Sequence, residues 1–218
     1  MDEHSIRAIG LLAKIESGEL KDDHPLAYDV MQKLVSRRVL FVATLLHDIA
    51  KGRRGDHSVL GAEVAMKLCP RLGMTEAETE QVAWLVRYHL LMSATAFKRD
   101  LTDYKTIADF AAMVQSPERL KLLLVLTVVD IRAVGPGIWN SWKRQLLGTL
   151  FESTEEVLRL GHKQHGRRER VIAKQEAARA ALGIDEGRFV QLARKLDDAY
   201  WIAEPEDCLL YTSPSPRD

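Results

Sequence analysis

Residues 39–50 read VLFVATLLHDIA, an apolar run that ends in His47 and Asp48. The run is apolar on nearly every side, so it could form a buried strand or a buried helix. Its length and the surrounding Ala, Leu and Met residues favour a helix, which Gly52 and Gly55 would end. An imidazole and a carboxylate are therefore predicted about 100° apart on a helix that is otherwise buried.

Helical patterns extend over most of the remaining chain, and no stretch makes a convincing strand. The first helix is predicted over 3–16, with Ile6, Ile9, Leu12 and Ala13 on its apolar face. Pro25 opens the second helix. Further helices are predicted over about 58–70, 75–89, 104–115, 117–134, 138–160, 167–182 and 186–200. The sequence thus predicts an all-α protein.

Three helix starts carry specific capping signals. Thr75 and Glu78 form a capping box, Asp103 can cap the helix that follows it, and Ser116 precedes a proline at the first helical position.

Gly161 and Gly166 are expected to interrupt the last long helices. We therefore expect a helical domain over 1–161 and an accessory helical segment over 162–207. Residues 208–218 lack periodicity and are expected to be a non-native or disordered tail.

Composition excludes several broad classes of function. The 31 Lys and Arg residues balance 31 Asp and Glu residues, so no overall charge directs the chain to nucleic acid or an anionic membrane. A basic stretch over 163–179 is either a solvated helix face or a partner surface. No apolar run approaches the roughly 20 residues of a membrane span. With only two cysteines and no signal peptide, we expect a cytoplasmic protein that interacts with neither nucleic acid nor membrane.

Two acidic residues fall inside or directly after apolar runs. Asp48 ends the run quoted above, and Asp130 follows eight residues from Leu122 to Val129. A buried carboxylate needs a partner or a metal ion, because an unpaired buried charge is costly. For His47 and Asp48, a hydrogen-bonded core pair and a metal-ligand pair are equal alternatives. Asp130, taken alone, fits a structural salt bridge better than a metal site.

The remaining histidines divide into two groups. His4, His57 and His89 stand near predicted helix starts or ends, where metal ligands often lie, although each alone would more often be a surface or core residue. His24, His162 and His165 have no buried acidic neighbour in the sequence, so they are predicted at the surface.

The ordered set His4, His47-Asp48, His57, His89 and Asp130 on a helical chain resembles the HD superfamily of metal-dependent phosphohydrolases. Within it, the segments LLHDIAKG (45–52), GDHS (55–58), VAWLV (82–86), HLLMS (89–93), LTVVDI (126–131) and WNSW (139–142) are similar to the uridylyl-removing domain of enzymes that modify PII nitrogen-signalling proteins. The similarity covers about 1–207. The family's nucleotidyltransferase and glutamine-sensing ACT domains have no counterpart in this sequence.

The resemblance implies an HD-type helical bundle over 1–161 that hydrolyses the phosphodiester of a uridylylated PII-type protein. It implies that His4, His47, Asp48, His57, His89 and Asp130 bind one or two divalent ions, with Mg or Mn preferred. Asp48 would be catalytic, with Lys51 beside the phosphate; a plain helix-end lysine is the alternative. Two other functions stay open: a generic HD-type nucleotide phosphohydrolase and a non-catalytic metal-binding regulatory module.

Four other side chains near these motifs have weaker claims to a role. Arg53 and Arg54 fit a solvated loop better than a nucleotide contact. Trp139 and Trp142 fit packing better than stacking on uracil, because large aromatic side chains mostly contribute buried area.

Overall fold

The computed structural model describes residues 3–183, 186–193, 196 and 201. Every regular element in these residues is a helix, which confirms the predicted all-α fold. The helices are α1 (Glu3–Ser17), α2 (Pro25–Met31), α3 (Arg37–Leu46), α4 (His57–Leu68), α5 (Glu76–Tyr88), α6 (Leu91–Lys98), α7 (Tyr104–Val114), α8 (Pro117–Val134), α9 (Ser141–Leu182) and α10 (Glu186–Ala193). A short 3₁₀-helix, Cys69–Leu72, follows α4. Over the described ranges, no helix combines the length and apolarity that a membrane crossing requires.

Helix α8 forms the centre of the core. Its residues from Leu122 to Val129 are all buried, and α1, α2, α3, α5, α6 and α7 pack against it. A helix enclosed by neighbours is apolar on all sides, which explains the continuous run in the sequence. Asp130 follows this run at the edge of the core, close to α1.

Helix α1 forms as predicted, but the predicted apolar face is partly wrong. The buried residues are Ser5, Ala8, Leu12 and Ile15. Ile6 is 59% exposed and Ala13 is also exposed. Both faces have helical spacing, and the face that carries the small residues Ser5 and Ala8 is the one buried when α1 packs against α8 and α3.

The predicted caps are confirmed. Thr75 and Glu78 form a reciprocal capping box, in which the Glu78 amide donates to Thr75 Oγ1 at 3.2 Å and the Thr75 amide donates to Glu78 Oε2 at 2.8 Å. Asp103 caps α7 and Ser116 caps α8 through their side-chain oxygens. Asp56 accepts from the Ser58 amide in the same way and fixes the start of α4.

Helix α3 ends earlier than the sequence predicts, at Leu46 instead of Ala50. The following backbone forms turns, with the Ile49 amide bonded to Leu46 and the Lys51 amide bonded to Asp48 at 2.9 Å. One carbonyl of the last turn, that of Thr44, is bound by the His47 ring instead. Side-chain bonds of this kind satisfy carbonyls that helix ends leave without partners. His47 and Asp48 therefore lie at a helix end and not on its middle.

Helix α9 is continuous from Ser141 to Leu182, so the predicted break between Gly161 and Gly166 is wrong. A glycine inside a helix costs only about 1 kcal/mol relative to alanine, and the surrounding sequence is rich in strong helix formers.

The chain divides into two compact units, 1–158 and 159–218. In the second unit Val171, Ala178, Phe189 and Trp201 form a buried cluster. The division at residue 161 stays a prediction.

Several predicted features lie wholly or partly outside the described residues. They are the tail over 208–218, the end of the helix predicted over 186–200, the end of the accessory segment over 162–207, and the side chains of His162 and His165. His24, in contrast, is described and is only 2% exposed, so its predicted surface position is wrong. Its ring packs edge-on against Trp139, with centroids 4.9 Å apart, in a small cavity that Leu124 and Leu147 also line.

Candidate metal centre

His47 stands directly after α3 and is completely buried. Its Nδ1 lies 2.7 Å from the carbonyl oxygen of Thr44. Because a carbonyl can only accept, Nδ1 carries a proton, and in the neutral imidazole Nε2 then presents a lone pair. Nε2 has no hydrogen-bond partner among the residues that the structure describes. A buried nitrogen of this kind, with its tautomer fixed by a backbone carbonyl, is what a metal-ligating histidine requires.

His89 has the same local arrangement at the end of α5. It is 2% exposed, and its Nδ1 lies 2.7 Å from the carbonyl oxygen of Val86, three residues earlier. Its Nε2 is therefore the free lone pair, and it points to the same carboxylate as that of His47, at 3.9 Å from Asp48 Oδ1. The ends of α3 and α5 thus present His47 and His89 to Asp48, and both rings carry the proton on Nδ1.

His4 and Asp130 complete one side of the cluster. Nε2 of His4 is 2.9 Å from Oδ1 of Asp130, and Nε2 of His47 is 3.4 Å from the same oxygen. The first turn of α1 and the last turns of α8 bring these residues together. The salt-bridge alternative for Asp130 therefore describes real contacts, but its partners are imidazoles and not a lysine or an arginine.

His57 lies on the other side, at the start of α4, where Asp56 caps the helix. Its Nε2 is 3.7 Å from Asp48 Oδ1, and its ring lies 5.4 Å from that of His89. The side chain is 32% exposed, while those of His47, Asp48 and His89 are almost fully enclosed. The cluster is therefore most open to solvent on the side of His57, and it is also partly open on the side of His4 and Asp130, whose side chains are 16% and 19% exposed.

The two oxygens of Asp48 face different imidazoles. Oδ2 is 3.8 Å from His47 Nε2, whereas Oδ1 faces His57 and His89. Two ligand groups result, each with its donor atoms within 4.8 Å of one another: His4, His47 and Asp48, and Asp48, His57 and His89. Asp48 belongs to both groups. This arrangement could hold two cations with Asp48 as the shared ligand.

The cationic and imidazole groups of the cluster favour the ionised form of its two carboxylates, Asp48 and Asp130. Burial alone would raise the pKa of Asp48, but the Lys51 ammonium and the His47 imidazole outweigh it and lower that pKa. Asp130 behaves alike: burial opposes ionisation, and contacts with His47 and His4 lower the pKa. Burial lowers the pKa of His89. Burial also acts to lower the pKa of His47, but the contact with the Asp130 carboxylate outweighs it and raises that pKa. Both carboxylates are therefore ionised, as cation ligands must be.

The donor set fits a divalent ion. Imidazole nitrogens and carboxylate oxygens are the mixture that suits Mn, Fe and Zn, and Mg accepts such sites when it retains water. All six predicted ligands, His4, His47, Asp48, His57, His89 and Asp130, lie in this one cluster. Their assignment as metal ligands remains a prediction.

Lys51 also lies at the cluster. Its Nζ donates to Oδ2 of Asp48 at 2.6 Å, while its side chain is 60% exposed. Arg53 and Arg54 are exposed in the loop after α3. Trp142 packs on Phe97 with the two rings stacked 5.8 Å apart, as the packing prediction expects, although it is 55% exposed and lies outside the core.

The backbone carbonyls of Thr44 and Val86 are the functional groups that the sequence does not reveal. They fix the tautomers of His47 and His89, but any residue supplies a carbonyl. The usable signal is the position of each histidine directly after the last residue of a helix, where carbonyls lack partners.

Comparison with known proteins assigns the fold around this cluster. The HD domain family matches residues 1–131, which is more than half of the 218 residues. The chain belongs to the HD domain family. The matched part of this HD domain contains all six residues of the cluster, from His4 to Asp130.

Several curated relatives match nearly the whole chain. The bifunctional uridylyltransferase/uridylyl-removing enzyme of Novosphingobium aromaticivorans is 75% identical over 209 residues, 96% of this chain and 23% of that protein. Enzymes of the same name from Erythrobacter litoralis and Azospirillum brasilense are 64% and 59% identical, over 96% and 93% of the chain. The chain therefore spans less than a quarter of the length of these relatives.

Proposed function

We propose that this HD domain is the uridylyl-removing part of a bifunctional uridylyltransferase/uridylyl-removing enzyme. Its substrate would be a PII-type signalling protein that carries UMP on a tyrosine. The observation that carries the proposal is the position of Asp48, whose two oxygens face two separate groups of imidazoles. The identity of 75% to a relative named for uridylyl removal supports the choice of substrate.

We propose two divalent ions, Mg or Mn, as the cofactors. His4, His47 and Asp48, with Asp130 beside them, would hold one ion, and Asp48, His57 and His89 the other. When bound, such an ion pair lowers the pKa of a water molecule and neutralises charge that develops on a phosphoryl group. The enclosed side chains supply fixed ligands, and the partly exposed His57 lies where substrate and water reach the cluster.

The proposed reaction is the hydrolysis of the phosphodiester between UMP and the tyrosine. Water adds to phosphorus, the bond between phosphorus and the tyrosine oxygen breaks, and the phenol oxygen gains a proton. UMP and the unmodified tyrosine are the products.

Lys51 is proposed to be the residue that contacts the phosphate. Its ammonium is bonded to Asp48 at 2.6 Å on an otherwise exposed side chain, so it lies at the open edge of the cluster. A lysine there offers a positive point charge and up to three donors to a phosphate oxygen. Asp48 would hold that ammonium in place in addition to ligating the ions.

The test is the release of UMP from a uridylylated PII-type protein by the purified chain with Mn or Mg. Asp48→Asn should abolish release, and Asp109→Asn, an exposed carboxylate on α7, should not change it. Release from free nucleotides but not from the protein would favour a general nucleotide phosphohydrolase. Metal binding without turnover of either substrate would favour a regulatory module.

The proposal covers only the hydrolytic activity, because the chain matches less than a quarter of the relatives. The cytoplasm is the proposed compartment, in line with the low cysteine content and with Cys69, which is buried and unbridged.

A further inference from the structure

An open cleft lies between α1 and the end of α8. It has a volume of about 430 Å³ and is lined by Arg7, Leu11, Arg132, Gly135 and Pro136. Arg7 and Pro136 are exposed, and the other three are half-buried, so solvent reaches the cleft directly. Its volume falls within the range of about 300–1,000 Å³ that is usual for binding pockets.

The cleft begins one helical turn from the metal centre. Contacts between α1 and α8 occur at His4 with Asp130, 2.9 Å apart, and at Arg7 with the carbonyl oxygen of Ala133, 3.3 Å apart. On α8 these two contacts are three residues apart, at Asp130 and at Ala133. Three residues rise about 4.5 Å along a helix. A molecule bound at the metal centre can therefore extend into the cleft.

Two guanidinium groups give the cleft its chemistry. Arg7 pairs with Glu3 at 2.9 Å and Arg132 pairs with Asp23 at 3.7 Å. Glu3 and Asp23 are 84% and 60% exposed, and ion pairs of such exposed side chains contribute little stability. An oxyanion in the cleft can replace them, because guanidinium groups bind carboxylate and phosphate oxygens with two parallel hydrogen bonds.

We propose that this cleft binds a carboxylate side chain on the protein half of the substrate. The inference rests on the proposed uridylyl-removing function. A tyrosyl-UMP diester has a single negative charge, on the phosphate that the metal centre and Lys51 would bind, while its uracil and ribose are neutral. A second anion must therefore come from the protein that carries the tyrosine. Leu11 offers an apolar wall to the stem of such a side chain.

The experiment compares two substrates that share the nucleotide. One is a uridylylated PII-type protein, and the other is the 4-nitrophenyl ester of UMP, which has no protein half. Arg132→Gln should raise KM for the protein substrate about tenfold and leave the small ester unchanged, because one charged hydrogen-bonding partner is lost. Arg37→Gln is the matched control: Arg37 is also paired with a glutamate, Glu16, but does not line the cleft.

Each alternative gives a different result. Equal rises in KM for both substrates would mean that the cleft binds the nucleotide, which would overturn the inference. An unchanged KM for both substrates would overturn it as well. Arg7→Gln additionally removes the bond to the Ala133 carbonyl, so its melting temperature must be measured, and Arg132→Gln, which keeps that bond, decides.

A binding measurement separates this inference from the proposed function. Isothermal titration calorimetry of the uridylylated protein into the Asp48→Asn chain requires no turnover. A roughly tenfold weaker dissociation constant on adding Arg132→Gln supports the cleft even when hydrolysis fails. Binding that Arg132→Gln leaves unchanged overturns the inference even when UMP is released, and if the Asp48→Asn chain does not bind the substrate, the KM comparison decides.

Discussion

His4 and Asp130 are 126 positions apart in the sequence, and Nε2 of His4 lies 2.9 Å from Oδ1 of Asp130. The contact joins the first turn of α1 to the last turns of α8. The ligand cluster therefore exists only when the helical core has assembled around α8. Binding of an ion to this cluster must in turn favour the folded chain.

Divalent metal should stabilise the protein against heat for this reason. At about 100 times its dissociation constant, a ligand that binds only the folded state adds about 2.7 kcal/mol. We expect Mn to raise the melting temperature, excess EDTA to reverse the rise, and Asp48→Asn to remove most of it. The measurement is thermal unfolding followed by circular dichroism. An equal rise in the Asp48→Asn chain would show that Mn binds elsewhere.

Lys51 should affect turnover more than metal binding. Burial acts to raise the pKa of Asp48, and the Lys51 ammonium lowers it. The same ammonium is the proposed phosphate contact. Lys51→Met should reduce kcat for UMP release about 10- to 100-fold, because a charged donor near the reacting phosphate is lost. Metal content should stay the same. Lys67→Met, at an exposed position of α4, should leave kcat unchanged; a similar fall there would remove the special role of Lys51.

Gly61 sets the close approach of α4 to α5, the helices that carry His57 and precede His89. A Cβ at this position would lie 2.9 Å from Cγ1 of Val86. Gly61→Ala should therefore lower the free energy of unfolding by about 1–3 kcal/mol through overpacking. Gly10→Ala is the control: its Cβ would meet no described atom within 4 Å, and it should stabilise α1 by up to about 1 kcal/mol. Urea unfolding measures both, and a stabilised Gly61→Ala chain would contradict the packing.

His24 should make stability fall in mild acid. Burial, with Arg132 and Arg144 nearby, lowers its pKa from 6.5 to about 4, although Asp23 acts in the opposite direction. Between these two values the unfolded chain binds the proton and the folded chain does not. The contribution is therefore complete above pH 6.5 and is lost as the pH falls towards 4, by at most about 3 kcal/mol.

The matched variant for this effect is His24→Phe, which has no titrating ring nitrogen. Urea unfolding at pH 7 and pH 5 should show a smaller loss of stability for His24→Phe than for the unchanged chain. Equal losses in both proteins would mean that His24 titrates normally in the folded state.

Local signals in the sequence predict much of this fold. Thr75, Asp103 and Ser116 define helix starts through side-chain caps that depend on only three or four neighbouring residues. The apolar run from Leu122 to Val129 predicts a buried helix because enclosure on all sides leaves no polar face. The clustering of histidines and aspartates follows from family resemblance, since no spacing rule relates His4 to Asp130.

The parts that sequence does not predict depend on tertiary packing. Helix α6 has no capping side chain and only eight residues, so no local signal marks it. Ile6 is exposed because the face with smaller residues is the one that packs. His24 is buried because Trp139, more than a hundred residues away, covers it.

The most direct test of the account is the number of Mn ions bound per chain, measured by metal analysis after equilibrium dialysis. We predict about two ions for the unchanged chain, as in other two-metal sites, about one for His57→Ala, and none retained by Asp48→Ala. Circular dichroism should show that both variants stay helical. An Asp48→Ala chain that binds as much Mn as the unchanged chain would contradict the claim that the two oxygens of Asp48 join two metal sites.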